Sequence, residues 1–340
     1  MTQNLEKNLP SGSFKRVTID SSHAERITKP SLSFWQDAWL RIRKNKAAIV
    51  SIFILFFIII MAFLGPVISP HDAETQTLTH ANLPPKVPGF ENLGFLDGVG
   101  NLGGKEVDLY EMKKVDTYYW IGTDGLGRDM FSRLWEGTQI SLFIAFVAAI
   151  IDMVIGVLYG GISAYYGGRV DDIMQRIVEI LYGIPNLVVV ILMILVMEPG
   201  IMAIIIAITI TGWIGMSRVV RGQVLKYKNQ EFVLASRTLG ASNNRIIVKH
   251  LLPNILGIII INTMFTIPGA IFFEAFLSFI GLGLQPPAAS LGTLINDGYK
   301  LMQFQPHILF YPSLVLSLLM VAFNLLGDGL RDALDPKMKD

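Results

Sequence analysis

"EFVLASRTLGASNNRIIVKHLLPN" occupies residues 231–254. It is polar, it favours helix, and it carries a glycine in its middle. On either side lie two of the most apolar stretches of the chain, "IMAIIIAITITGWIGM" (201–216) and "ILGIIIINTMFTI" (255–267). A short turn would be enough to join two membrane spans, so a structured polar insert needs a separate reason. Residues 231–239 read as a short helix, with the acid of Glu231 suited to its N-terminus. Gly240 can take a positive φ and end that helix. Ser242 is placed to cap a second one, "NNRIIVKHLL", and Pro253 allows a sharp turn into the membrane. The expectation is two short helices at an angle on one membrane face. The small residues Ala235, Ser236 and Ala241 would let another surface come close.

The rest of the chain supports a membrane setting. Of 340 residues, 52% are hydrophobic and only 16% charged, which is unusual for a soluble chain of this length. The net charge of +1 argues against a nucleic-acid partner. The chain has no cysteine, which excludes disulfides, thiolate metal sites and thiol catalysis. Its five histidines form no HExxH pair, so no zinc-protease helix and no other metal site is expected. The N-terminus lacks an early apolar core and does not read as a secretory signal.

Apolar stretches of about 20 residues mark membrane-crossing helices. Six are expected, near 47–69, 139–164, 173–197, 201–223, 255–282 and 308–330. The fold class is therefore all-α, membrane-embedded, with a large segment between the first two spans. Residues 1–30 are polar enough to be disordered. "SFWQDAWLRIRKNK" (33–46) has the spacing of an interfacial helix. The domain organisation follows: a tail and interfacial helix over 1–45, a first span over 46–69, an external segment over 70–138, a core of five spans over 139–332, and a short tail over 333–340. The polar loop of the core extends over 225–254.

Lys and Arg set the orientation. With the N-terminus inside, 21 of the 28 basic residues fall on the inner segments and helix ends. Both termini and the 231–254 stretch are thus expected in the cytoplasm, and 70–138 outside. A connection of that length is functional or disordered more often than not.

Three acids lie within expected spans: Asp152, Glu179 and Glu274. Charges at membrane depth are costly and usually face protein or water. Each therefore reads either as lining a path or a subunit interface, or as a structural hydrogen-bond partner. Glu274 is the preferred path candidate, with Pro268 and Gly269 nearby to bend its helix. On the external side, "GTDGLGRD" (122–129) has the glycines of a phosphate loop but not its GKS or GKT ending. It reads instead as a turn-rich cap in which Gly122 and Gly127 let Asp124, Arg128 and Asp129 pair, with a docked external protein as a second role. Near the C-terminus, Asp328 and Arg331 are spaced to pair on one helix face. No Walker A sequence occurs, and no catalytic residue is expected.

The polar insert also carries a spacing. Ala235, Gly240, Leu252 and Pro253 stand in register with EAA-x3-G-x9-I-x-L-P, so the stretch resembles the EAA loop of ABC-importer permeases. Leu234, Ser236 and His250 depart from that pattern. "YWIGTDGLGRDMFSRLWEGTQISL" (119–142), "AYYGGRVDDIMQRIVEILYGIPNL" (164–187), "EAFLSFIGLGLQPP" (274–287) and "FNLLGDGLRDALDPK" (323–337) resemble segments of the peptide/nickel group, which includes the C subunits of oligopeptide and dipeptide permeases. The resemblance runs from about residue 121 to the C-terminus, the first span with its basic lead-in also fits the group, and residues 1–30 and about 75–118 are left uncovered.

The resemblance implies a type I ABC-importer permease fold in a bacterial cell membrane. It implies that Glu231, Ala235, Ser236, Arg237, Gly240, Ala241, Ser242, Leu252 and Pro253 form a loop that docks on a separate ATPase. The implied partners are a second homologous permease in a heterodimer, two cytoplasmic ATPase subunits, and an extracytoplasmic binding lipoprotein or periplasmic protein, all around a lipid membrane. ATP and Mg would be bound by partner subunits and no cofactor by this chain. Oligopeptides or dipeptides are the implied cargo, with nickel, haem or glutathione as alternatives. A secondary transporter is a different class. It would call for inverted repeats and a central cluster of ion-coordinating groups, and neither is legible.

Overall fold

Long apolar runs with helical neighbours on both sides set the architecture, and a computed structural model describes it for residues 33–90, 96–102 and 105–334. The tail over 1–30 and most of 333–340 lie outside the described residues. An amphipathic helix, α1 (Phe34–Ile42), is closed at its start by a capping box between Ser33 and Gln36. It leads into α2 (Lys46–Ile68), which Asn45 caps.

The chain then crosses a long connection with a single 3-10 turn (Leu78–His80), a hairpin and a short helix. The hairpin pairs β1 (Val99–Leu102) antiparallel with β2 (Lys105–Asp108), in register Val99 to Asp108. Asp108 then caps α3 (Leu109–Lys113). The core follows as α4 (Met130–Tyr166), α5 (Gly168–Tyr182), α6 (Asn186–Met197), α7 (Ile201–Tyr227), α8 (Glu231–Thr238), α9 (Asn243–Ile246), α10 (Leu252–Phe279), α11 (Leu291–Leu301) and α12 (Pro306–Leu334).

Five of these helices are long and apolar enough to cross a membrane, and α5 with α6 make a sixth span if the bent pair is counted as one. Four departures from the sequence reading have physical causes. Asp129 caps α4 nine residues earlier than the expected span start, so 130–138 belongs to the helix rather than to the external segment. The expected third span is broken: α5 and α6 meet at 80°, where Pro185 denies the helix a backbone donor. Pro253 makes no sharp turn. It sits just after a π-type turn (Ile247–Leu251) through which α9 runs into α10 as one 37-residue helix, and such a local change of helical bonding accommodates a proline within a span. Finally, α11 fills the connection between the last two spans, and a box between Ser290 and Thr293 caps it.

The main core joins α2, α4, α10 and α12 around Ile58, Ala145, Ile271 and Leu319, all essentially without solvent exposure. Small residues bring α4 and α7 together. A side chain at Gly156 or Gly160 would run into Met216 or Ser217 of α7, the close approach that small residues permit between membrane helices.

Candidate coupling site

The 231–254 stretch builds a rigid corner. α8 ends at Leu239, and Gly240 follows with φ of 80°. The Gly240 N–H bonds to the Arg237 carbonyl at 3.0 Å and the Ala241 N–H to the Ser236 carbonyl at 3.1 Å. That is the Schellman pair of bonds, which uses up carbonyls the helix end would leave open. Ser242 accepts the Arg245 N–H at 3.4 Å and starts α9. Open space surrounds Gly240, so its backbone conformation, rather than crowding, calls for glycine there.

Three anchors hold this corner to the spans. Val233, Ile246 and Leu251 are fully buried against Val220 and Val224 of α7, Ile255 of α10, and Ala164 and Tyr165 at the end of α4. The Tyr165 hydroxyl is 2.8 Å from the Asn243 side-chain oxygen, and the Arg237 guanidinium lies 5.8 Å from the Tyr165 ring centre. Tyr165 therefore touches both sides of the corner. Beside it, Lys228 donates to the Ala164 carbonyl at 2.8 Å. Arg221 makes two hydrogen bonds to Asp171, of 2.8 and 2.6 Å, and the Ser163 hydroxyl bonds to the same carboxylate. A movement of α8 would therefore be passed to α4, α5, α7 and α10 together.

The opposite face is left open. Glu231, Ala235, Arg237, Gly240 and Ser242 are exposed, and Ser236 and Ala241 half-buried. Leu252 is half-buried and Pro253 exposed at the start of α10. Leu239 projects at the corner, 87% exposed, with Phe232 and Leu234 on the same short helix also uncovered. Sequence spacing missed both Leu239 and Tyr165. A leucine directly before a helix-ending glycine was the only available signal for the first. Tyr165 is recognised by partners 72 and 78 residues away, which no local pattern shows.

The three acids do not converge. Glu274 has no solvent exposure. Its two oxygens accept the hydroxyls of Ser141 on α4 and Ser278 one turn along α10, both at 2.8 Å. Ser141 also accepts the Leu291 N–H of α11 at 3.1 Å. The best path candidate of the sequence reading is thus a tie between three helices, enclosed by hydroxyl donors. Asp152 is 3% exposed and lies against Gly212 of α7, in space that a side chain at 212 would fill. Glu179 is on the open face of α5 and pairs with Arg176 at 2.9 Å.

In the segment between the first two spans, Asp124 accepts the N–H groups of Leu126 and Arg128 at 2.9 and 3.0 Å and the Arg128 guanidinium at 2.7 Å. Arg133 of α4 approaches the same carboxylate at 3.5 Å. Asp129 takes no part in that ion pair. It caps α4 through the Ser132 N–H at 2.9 Å and accepts the Ser69 hydroxyl at 2.8 Å. Gly122 and Gly127 both have positive φ, and a side chain at either would overlap the backbone of Leu83 or Thr77. Asp124, Arg128, Asp129 and Arg133 are all at most 6% exposed. They pin the external segment to α2 and α4 and offer no charged outer surface. Among the described residues, Arg331 makes no ion pair with Asp328.

Comparison with known proteins follows this geometry. The family model for the binding-protein-dependent transport system inner membrane component matches residues 153–340, and that for the N-terminal TM domain of oligopeptide transport permease C matches 33–85. The chain is 50% identical to the dipeptide transport system permease protein DppC of Bacillus subtilis (strain 168), over 93% of this chain and 90% of that one. It is 45% identical to the oligopeptide transport system permease protein OppC of the same organism, over 98% and 99%. Identity to the oligopeptide permease OppC of Escherichia coli (strain K12) is 35%, over 92% and 95%. Among solved structures, an inward-facing MetNI methionine ABC transporter superposes with a TM-score of 0.50 at 23% identity, covering 60% of this chain and 97% of that one.

Proposed function

Because the chain belongs to the family of binding-protein-dependent transport system inner membrane components, the membrane permeases of ABC importers, we propose that it carries oligopeptides or dipeptides across a bacterial cell membrane. The names of its relatives support that cargo class. Both termini face the cytoplasm, in keeping with where the basic residues fall. The chain pairs with a second, homologous permease. Two ATPase subunits bind beneath, and an extracytoplasmic binding protein delivers the peptide from above. ATP and Mg are held by the ATPase subunits, and this chain hydrolyses nothing itself.

The observation that carries the reading is the cornered helix pair. A Schellman turn, a serine cap and anchors buried against three helices make 231–254 stiff, while its outer face is left uncovered. A stiff, exposed corner transmits a rigid-body displacement into spans, and a loose loop would absorb it. ATP-driven closure of the two ATPases would push this corner and open the external gate. The test is purification of the intact complex and its transfer to vesicles. Peptide uptake should require ATP on the ATPase side. Uptake by this chain alone, without ATP, would overturn the reading.

A further inference from the structure

With Asp152 and Glu274 buried, the polar surface on the inner half of the molecule lies elsewhere. A cleft of about 950 Å³ opens between α7, α10 and α12. Arg218 and Lys226 enter it from α7 and Arg331 from α12, and all three are exposed. Among the described residues no acid lines it. Gln223, Asn254 and Asn262 add amides.

The placement is regular. Arg218 and Lys226 are eight residues apart on α7, and Asn254 and Asn262 eight apart on α10, so each pair shares a helix face. Eight residues rise about 12 Å, so the two stripes extend from the cytoplasmic end of the spans well into their length. A face turned to lipid chains would be apolar there, and polar groups at that depth face water or protein. Among the described residues none of the three cations forms an ion pair. Arg218 stacks on the Tyr182 ring at 4.3 Å and Lys226 on the Tyr227 ring at 5.5 Å, contacts that leave the charge in place.

We infer that this cleft is the inner half of the translocation path and that its cationic wall receives carboxylate groups of the cargo. The inference rests on the importer reading and narrows its substrate class. A peptide brings at least one carboxylate, which three unneutralised cations attract, whereas they repel a bare divalent metal ion. Anionic lipid and an acidic segment of the second permease are the competing occupants.

The test uses the complete complex in vesicles, with binding protein in excess and ATP on the ATPase side. Initial uptake of the peptides Ala-Glu-Ala and Ala-Lys-Ala is compared for wild type and for the double variant Lys226→Gln/Arg331→Gln. The expected result is a fall of roughly three- to fivefold in the glutamyl-to-lysyl uptake ratio, the scale of a lost exposed charge contact. The charge-conserving variant Lys226→Arg/Arg331→Lys should keep the wild-type ratio. An unchanged ratio in the neutral variant overturns the inference. So does a fall that disappears in vesicles of phosphatidylcholine alone, which marks a lipid site, or loss of the second permease on purification, which marks a subunit contact. If the wild-type complex moves neither peptide with ATP, the peptide-importer reading itself fails.

Discussion

At the scale of single residues, chemistry that is local in sequence was legible and chemistry that is long-range was not. Gly240 and Ser242 could be placed because a helix stop and a helix cap need only the next few residues. Glu274 stays open in the sequence between a path and a structural reading, because its position in an apolar run does not say which way it faces. Its partner Ser141, and the Leu291 N–H that bonds to Ser141, come from other helices. Replacing Gly240 by Val forces a β-branched residue to a φ of 80°, at a cost of about 1–2 kcal/mol. Membrane insertion should be unaffected, and ATP hydrolysis should no longer be matched by transport. The stoichiometry of the reconstituted complex reads this directly. Glu274→Ala should be the more damaging at the level of folding, since it leaves buried serine hydroxyls without their acceptor, at about 1–3 kcal/mol. Glu274→Gln keeps an acceptor and should melt close to wild type with transport retained. A transport defect in the Gln variant with normal melting would return Glu274 to the path.

At the scale of elements, the apolar spans were readable from composition, while their ends and breaks were set by contacts. Hydropathy saw one span over 173–197 because the Gly-Ile-Pro at 183–185 interrupts the backbone and not the apolar pattern. The same property hid α11, whose amphipathic face matters only against α4, α10 and α12. The external segment reads as a loop because its fold depends on single side chains. One of them is His80, whose Nδ1 lies 2.8 Å from the Tyr119 hydroxyl. Burial, with the charges of His71 and Lys113 nearby, holds the His80 imidazole below its usual value. The folded segment therefore binds a proton less readily than the unfolded one. Its His80 contribution is present above about pH 6.5, the ordinary imidazole value, and is lost as the pH falls below it. Hydrogen-exchange protection over 77–83 should thus weaken between pH 7.5 and pH 5 in the wild type. His80→Gln should remove most of that pH dependence. Equal loss of protection in the two proteins would assign the effect to another group.

At the scale of the whole molecule, one chain supplies an open corner, a pinned segment between the first two spans, and a cation-lined cleft that forms no ion pair among the described residues. These features suit one wall of a larger assembly, as membership of the ABC-importer permease family requires. The central claim is that the corner at 231–254 is where an ATPase takes hold. The chain has no cysteine, so Leu239→Cys, at the 87% exposed tip, gives a unique cross-linking site. The matching control is Phe304→Cys, 85% exposed between α11 and α12. A short thiol-reactive cross-linker applied to the assembled complex should join position 239 to an ATPase subunit, with a yield that changes when ATP is added. It should not join position 304 to that subunit. Failure to cross-link at 239 in a complex that still transports, or cross-linking of the ATPase at 304 instead, would contradict the account.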